Sequence, residues 1–234
     1  MYFTYAGVSS ETMGVKIKDI AFPAKAAEAE DILDIPGRTE PIIQRLGTYA
    51  ATSLSVSLVI AYDANISAIK AWLSGTGRLI FSDMPDRYYN VSSCAAVSIK
   101  RAGAANTVKE LTMRFSVLPF AYAVTNPMTQ LDESPSYIRT AGTIWSEPII
   151  KIVGSGSVTV MVNNATLTIP SAAGTVYIDV PAKKVYTQTA GIKTLVASTG
   201  YIEDMILVPS ADSYNTVSWT GRVTQIEIQK NERR

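Results

Sequence analysis

Asp83 and Asp86 stand three residues apart in Ser82-Asp83-Met84-Pro85-Asp86-Arg87-Tyr88-Tyr89. Two carboxylates so close have the residue types of a glycosidase acid/base pair or of a calcium site. The same spacing across a proline-containing turn is also ordinary turn and capping chemistry, and Arg87 alongside neutralises one of them. The structural reading is preferred. Gly154-Ser155-Gly156 has the look of a phosphate-binding glycine loop, but no helix is predicted after it, so no helix N-terminus would face a phosphate. A tight turn is expected there. The remaining reactive side chain is the single cysteine, Cys94. It is expected to act as a small core hydrophobe.

The counts exclude more chemistry than these motifs suggest. The chain has 234 residues and 0 histidines. A Ser-His-Asp or Cys-His nucleophile, a histidine metal site and an imidazole shuttle therefore cannot be built within it. One cysteine closes no internal disulfide and makes no CxxC pair. Lys plus Arg is 21 and Asp plus Glu is 20, a net charge of +1, which argues against nucleic-acid recognition. Residues 1–130 carry 12 Lys/Arg against 11 Asp/Glu, and residues 131–234 carry 9 against 9, so neither half is a charged tail. No secretory signal is evident at Met1-Tyr2-Phe3-Thr4-Tyr5, and no stretch nears the ~20 apolar residues of a membrane helix. The expectation is a soluble protein made in a reducing cytoplasm, with no cofactor and no bound metal.

The elements that would position these residues are mostly strands. Leu54, Val56, Leu58 and Ile60 alternate with Ser53, Ser55, Ser57 and Val59, and Leu111, Met113, Phe115 and Val117 alternate with polar residues in the same way. Val97 to Lys100 is expected to pair with the latter through the loop Arg101 to Asn106. One helix is predicted after Asp63 as N-cap, with Ile66, Ile69 and Leu73 on one face, Trp72 beside it, and Gly75 and Gly77 as its stop. Ala24 to Asp31 is helical by propensity but lacks an apolar stripe, and it reads as an exposed arm or loop. Between Thr125 and Tyr137 turn formers and charges accumulate, which sets a domain boundary. Short strands follow: Ile149–Val153, Val158–Val162, Ala165–Ile169 after the turn Asn163-Asn164, Val176–Val180, Lys184–Thr187, Met205–Val208, Thr216–Trp219 and Val223–Ile228. Many short strands separated by turns indicate a β-sandwich or jelly roll. The aromatic residues of this half, Trp145, Tyr177, Tyr186, Tyr201, Tyr214 and Trp219, are either core filling or a sugar-stacking surface.

Several segments, in order, resemble the distal tail protein (Dit) family of long-tailed siphophages. They are Phe3 to Ser10 with Met13-Gly14-Val15, the turn Ile35-Pro36-Gly37-Arg38, Ala71-Trp72-Leu73, Gly77-Arg78-Leu79, Ser82 to Tyr89, Arg114 to Tyr122, Glu147 to Gly156, and Ile178-Asp179. The resemblance implies a mostly β protein. Residues 1–130 would be a β-barrel or split-barrel ring domain with one α-helix. Residues 131–137 would be a linker, and residues 138–234 a galectin-like β-sandwich. It also implies a homohexameric ring in the virion at the distal end of the tail. The partners would be the tail tube, the tape-measure protein, the tail-tip hub and receptor-binding or baseplate proteins. On this reading the motif residues Ile35, Pro36, Gly37, Arg38, Ser82, Asp83, Pro85, Asp86 and Tyr88 are structural turns. Phe22, Ile32, Leu33 and Arg38 are candidate ring-interface residues. No catalytic residue is assigned. Galectins bind sugars through a histidine-containing motif, so the second domain is expected to keep the fold without that chemistry. The alternative function is a carbohydrate-binding module that uses the C-terminal sandwich.

Overall fold

A computed structural model describes residues 1–22, 26–102, 108–210 and 213–234. The chain divides into two compact units, Met1–Val124 and Thr125–Arg234, each with its own hydrophobic core.

The first unit contains β1 (Phe3–Tyr5), β2 (Val8–Ser9), β3 (Val15–Ala21), β4 (Glu28–Leu33), β5 (Ile42–Tyr49), β6 (Thr52–Ile60), α1 (Ile66–Trp72), β7 (Gly77–Phe81), β8 (Met84–Ala102) and β9 (Val108–Ala123). Seven of its strands form one sheet in the order β2-β1-β7-β8-β9-β6-β3. The alternation in β6 buries Leu54, Val56, Leu58 and Ile60, and the neighbouring strand β9 buries Leu111, Met113, Phe115 and Val117. Each such side chain contributes roughly 1.5–3 kcal/mol on leaving water, which fixes which face of the sheet turns inward. The Ile17 N–H donates to the Met1 carbonyl at 3.0 Å and the Val15 N–H to the Ser10 carbonyl at 2.8 Å. These bonds bring the two ends of the sheet together, so it curls around Phe3, Tyr5, Leu79, Phe81 and Phe115.

The helix lies where the periodicity puts it, but its cap differs. Asn65, not Asp63, occupies the N-cap, and its side-chain oxygen accepts from the Ser67 and Ala68 N–H groups at 3.0 and 3.1 Å. Asp63 stands two residues too early to reach those donors. Ile69 and Leu73 are buried, and Trp72 stacks on Phe3 at 5.4 Å. The strand Val97–Lys100 is the continuation of β8, and it pairs with β9 as expected (Ser98 with Thr112, Lys100 with Glu110). Residues 103–106 of its expected loop lie outside the described residues, as do Ala24 and Lys25 of the expected arm. The rest of that arm is not a loop: Ala26 is buried, Glu28 and Ala29 are half-buried, and Glu30 and Asp31 are exposed. Glu28–Leu33 is strand β4, paired antiparallel with β5 in a separate two-stranded sheet.

The second unit contains β10 (Thr129–Leu131), β11 (Ser136–Ile138), β12 (Ile149–Val162), β13 (Ala165–Asp179), β14 (Lys184–Thr189), β15 (Ile192–Leu195), β16 (Thr199–Gly200) and β17 (Asn215–Gln229). All belong to one sheet ordered β10-β17-β12-β13-β14-β15, with β11 on β17 and β16 on β13. Residues 129–130, expected at the end of the first domain, and 131 and 136–137, expected in the linker, are strand residues of this sheet, and Leu131 and Ile138 are in its core.

Six strands expected separately merge into three long ones, joined through glycines. Gly154-Ser155-Gly156 is a bulge inside β12 rather than a tight turn. A Cβ at Gly154 would lie 2.6 Å from the Arg222 carbonyl oxygen. One at Gly221, where φ is +103°, would lie 2.3 Å from that of Ser157. Glycine at these points lets crossing strands approach and bend. Ile150 and Ile152 before the bulge and Val158, Val160 and Val162 after it all enter one core, so the sheet folds over itself into a sandwich. The expected strand Met205–Val208 is not one. Its place is taken by a 3-10 turn, Ile202–Asp204, and a single bridge from Leu207 to Ser146. Met205 and Leu207 are nonetheless fully buried, which explains the apolar signal there.

Candidate interaction surface

The motif Ile35-Pro36-Gly37-Arg38 lies between β4 and β5. The Arg38 N–H donates to the Ile35 carbonyl at 3.1 Å and Gly37 has φ +87°, the geometry of a type II turn with proline and glycine at its two central positions. Any residue with a Cβ is strained at that φ, so Gly37 holds the arm's tip.

Above the turn, Ile32 faces Ile43 and Leu33 faces Ile42 across the ribbon. Successive residues of a strand point to opposite faces, so the ribbon is apolar on both sides. Ile32 is 64% exposed, Ile43 55% and Leu33 54%, with Ile35, Ile42 and Leu46 exposed as well. A two-stranded hairpin is marginal in water, and clustered apolar exposure of this kind marks a contact surface. Its base is acidic: Glu28, Glu30 and Asp31 on β4, with one ion pair from Glu30 to Arg45 at 3.3 Å. The arm is anchored by Tyr49, whose ring meets Phe120 edge-on at 4.9 Å.

Of the candidate interface residues, Ile32, Leu33 and Arg38 stand together on this arm. Phe22 does not. Its ring packs edge-on against Phe81 at 5.4 Å, half-exposed at the margin of the barrel core. Sequence reasoning missed Ile42, Ile43 and Leu46. Their signal was the apolar doublet after Pro41, which matches the doublet Ile32-Leu33 in register.

Ser82, Asp83, Pro85, Asp86 and Tyr88 gather elsewhere, around the β7–β8 hairpin. Its tight turn is Ser82-Asp83, with Phe81 opposite Met84, so the turn precedes Pro85 rather than containing it. Ser82 is tied to Tyr2 through its N–H, which donates to the Tyr2 carbonyl at 3.0 Å, and its hydroxyl, which accepts from the Tyr2 N–H at 3.2 Å. Asp86 is exposed and pairs with Arg87 at 3.4 Å. Tyr88 stacks on Tyr122 at 5.6 Å with the Arg78 guanidinium 4.4 Å from its ring centre. Burial raises the neighbouring Tyr89 hydroxyl above its ordinary pKa, while Arg87 lowers it and Asp83 adds to the rise. The two aspartates face no common cavity among the described pockets, and no group of three or more His, Cys, Asp or Glu gathers among the described residues.

Cys94 is partly buried against the barrel core. Its thiol donates to the Leu73 carbonyl at 3.0 Å and lies 3.8 Å from the Tyr5 hydroxyl. Tyr5 in turn donates to the Gly75 carbonyl at 3.0 Å, and burial, with the Cys94 contact, pushes its pKa to about 12.

In the second unit most of the aromatic residues are engaged. Tyr186 is buried and stacked on Tyr177 at 5.4 Å, with Lys193 4.1 Å from its ring centre. Trp145 lies beneath Arg233 at 5.0 Å, and Trp219 packs against the core. Tyr214 stays exposed, with the Arg139 guanidinium 4.5 Å from its ring centre and the exposed Tyr137 ring edge-on to it at 6.4 Å, and Tyr201 is exposed as well. No helix among the described residues is long and apolar enough to cross a membrane.

A curled seven-stranded sheet with one short helix and a two-stranded arm, followed by a glycine-bent sandwich, defines a class of two-unit β proteins. The same arrangement is found in a solved phage protein. The chain superimposes on SPP1 Dit (gp 19.1), described as a paradigm of hub adsorption apparatus in phages that infect Gram-positive bacteria. The TM-score is 0.73 at 14% identity, over 97% of this chain and 98% of that one. The fold is therefore that of a Dit protein. A chain of the phage P2 baseplate in its activated conformation with Ca gives a TM-score of 0.48 at 8% identity, over 100% of this chain and 97% of that one. No protein-family profile and no curated protein matches the sequence.

Proposed function

We propose that this protein is a structural component of a phage tail tip. In this reading six copies form a ring that joins the tail tube to the tail-tip hub and leaves a passage for the tape-measure protein and DNA. The second unit carries receptor-binding or baseplate proteins. Its work is assembly rather than catalysis, and its place is the distal end of the tail in the virion.

The observation that carries the reading is the fold, shared with SPP1 Dit over nearly the full length of both chains. The arm supports it. A surface that is apolar on both faces needs a partner, and a ring subunit has one on each side. Electron microscopy of tail tips from the phage that encodes this chain tests the reading directly. The expected result is six-fold density for residues 1–124 on the tail axis. Absence of the protein from the axial ring would reject it.

A further inference from the structure

The first unit's near-neutral charge conceals a division. Residues 28–49, the arm with its turn, hold five Asp/Glu against two Arg, a net −3. The rest of residues 1–124 holds ten Lys/Arg against six Asp/Glu, a net +4. On the arm, Asp31 and Asp34 are exposed and join no ion pair among the described residues.

Three of the body's positive residues, Lys100, Arg101 and Lys109, gather at the far end of the β8–β9 hairpin. There Arg101 stands opposite Lys109, and Lys100 opposite Glu110. Like charges directly opposite on a sheet destabilise it. The one carboxylate on these rungs, Glu110, is already held by Lys18 at 2.5 Å. Lys100 and Arg101 are exposed, and neither they nor Lys109 has an acidic partner among the described residues. Among the described residues, Glu110 is the one carboxylate on these rungs, so the cluster is left with more positive than negative charge.

We propose that the β4–β5 arm of one copy docks on the basic end of the β8–β9 hairpin of a second copy, head to tail. The inference rests on the self-association in the function proposed above and adds which two surfaces meet. The occupant is another copy because the chain itself supplies both halves of the match: an acidic arm needing apolar cover, and a basic rung needing acid. A two-fold contact of arm with arm would oppose −3 with −3 and is disfavoured. Two different surfaces make a heterologous contact, the kind that closes into a ring.

The test uses two charge-reversed forms of the full chain. One carries Asp31→Lys and Asp34→Lys, the other Lys100→Glu and Arg101→Glu. All four positions are exposed and outside both cores, so unchanged melting temperatures are expected. The parent should form oligomers at about 50 mM salt and lose them toward about 500 mM, as the screening length shortens. Each variant alone should associate at least about tenfold more weakly. An equimolar mixture should recover assembly with alternating composition in native mass spectrometry, because each arm then meets a rung of opposite sign.

Either variant assembling as well as the parent would overturn the proposal, and so would a mixture no better than its components. A defect confined to the Lys100/Arg101 variant would point instead to a polyanion such as DNA on the basic rung, and it too would overturn arm docking. A parent that stays monomeric at every salt concentration also rejects the docking. Imaging of the tail tip decides the ring reading independently of all these outcomes.

Discussion

At Asn65 and Asp63 the difference between a cap and a bystander is a matter of reach. Asn65 accepts two helix N–H donors, while Asp63 accepts none of them. Asn65→Ala should therefore cost about 1 kcal/mol in denaturant unfolding, and Asp63→Ala should change stability by less than half of that. Tyr5 makes a pH-dependent prediction. Its folded-state pKa of about 12 lies above the ordinary 10.0, so the neutral phenol is favoured in the folded state. That contribution is complete below pH 10 and is lost as pH rises from 10 toward 12. The parent should lose stability faster across that window than Tyr5→Phe, by an amount of order 2 kcal/mol, read from urea midpoints at successive pH values.

Elements behave as their surroundings dictate. The arm is built from residues that would serve equally well in a core, Ile32, Leu33, Ile42 and Ile43, yet they stand exposed. Replacing Ile32 and Ile43 with Thr keeps β-propensity and removes apolar area. Such a variant should melt within a degree or two of the parent but form fewer oligomers on size-exclusion with light scattering. The long strands of the second unit respond oppositely. Gly221→Ala sets a Cβ about 2.3 Å from a backbone oxygen at positive φ, so either the strand crossing shifts or the unit unfolds. A loss of at least about 3 kcal/mol is expected, seen as an early calorimetric transition.

For the whole molecule, the position of the division between units is a stability question. β10 and β11 pair with β17 and place Leu131 and Ile138 in the second core. A fragment of residues 125–234 should fold with a cooperative transition. A fragment of residues 138–234 should melt several degrees lower or remain partly unfolded, as circular dichroism would show, because β17 loses β10 and most of β11 from one edge and the core loses Leu131. Much of this architecture was legible in the chain. The alternations of β6 and β9, the helix face of Ile69 and Leu73, and the turn residues Pro36 and Gly37 are local patterns with local causes. The merging of six strands into three was not, because a glycine reads the same whether it ends a strand or bends it.

The sequence by itself determined the β-rich composition, the inward faces of β6 and β9, the position of the helix, and the absence of every histidine-based chemistry. Those follow from residue types and from spacings of two or three to four. Only the tertiary structure decided that Asp83 sits in the β7–β8 turn while Asp86 lies on β8, that Ile32 and Ile43 meet on an exposed ribbon, and that Arg101 stands opposite Lys109. Each of these depends on which distant segments become neighbours. A net charge of +1 is the same number whether its charges are mixed or divided between an acidic arm and a basic body; folding divides them by setting β4 and β5 apart from the barrel sheet.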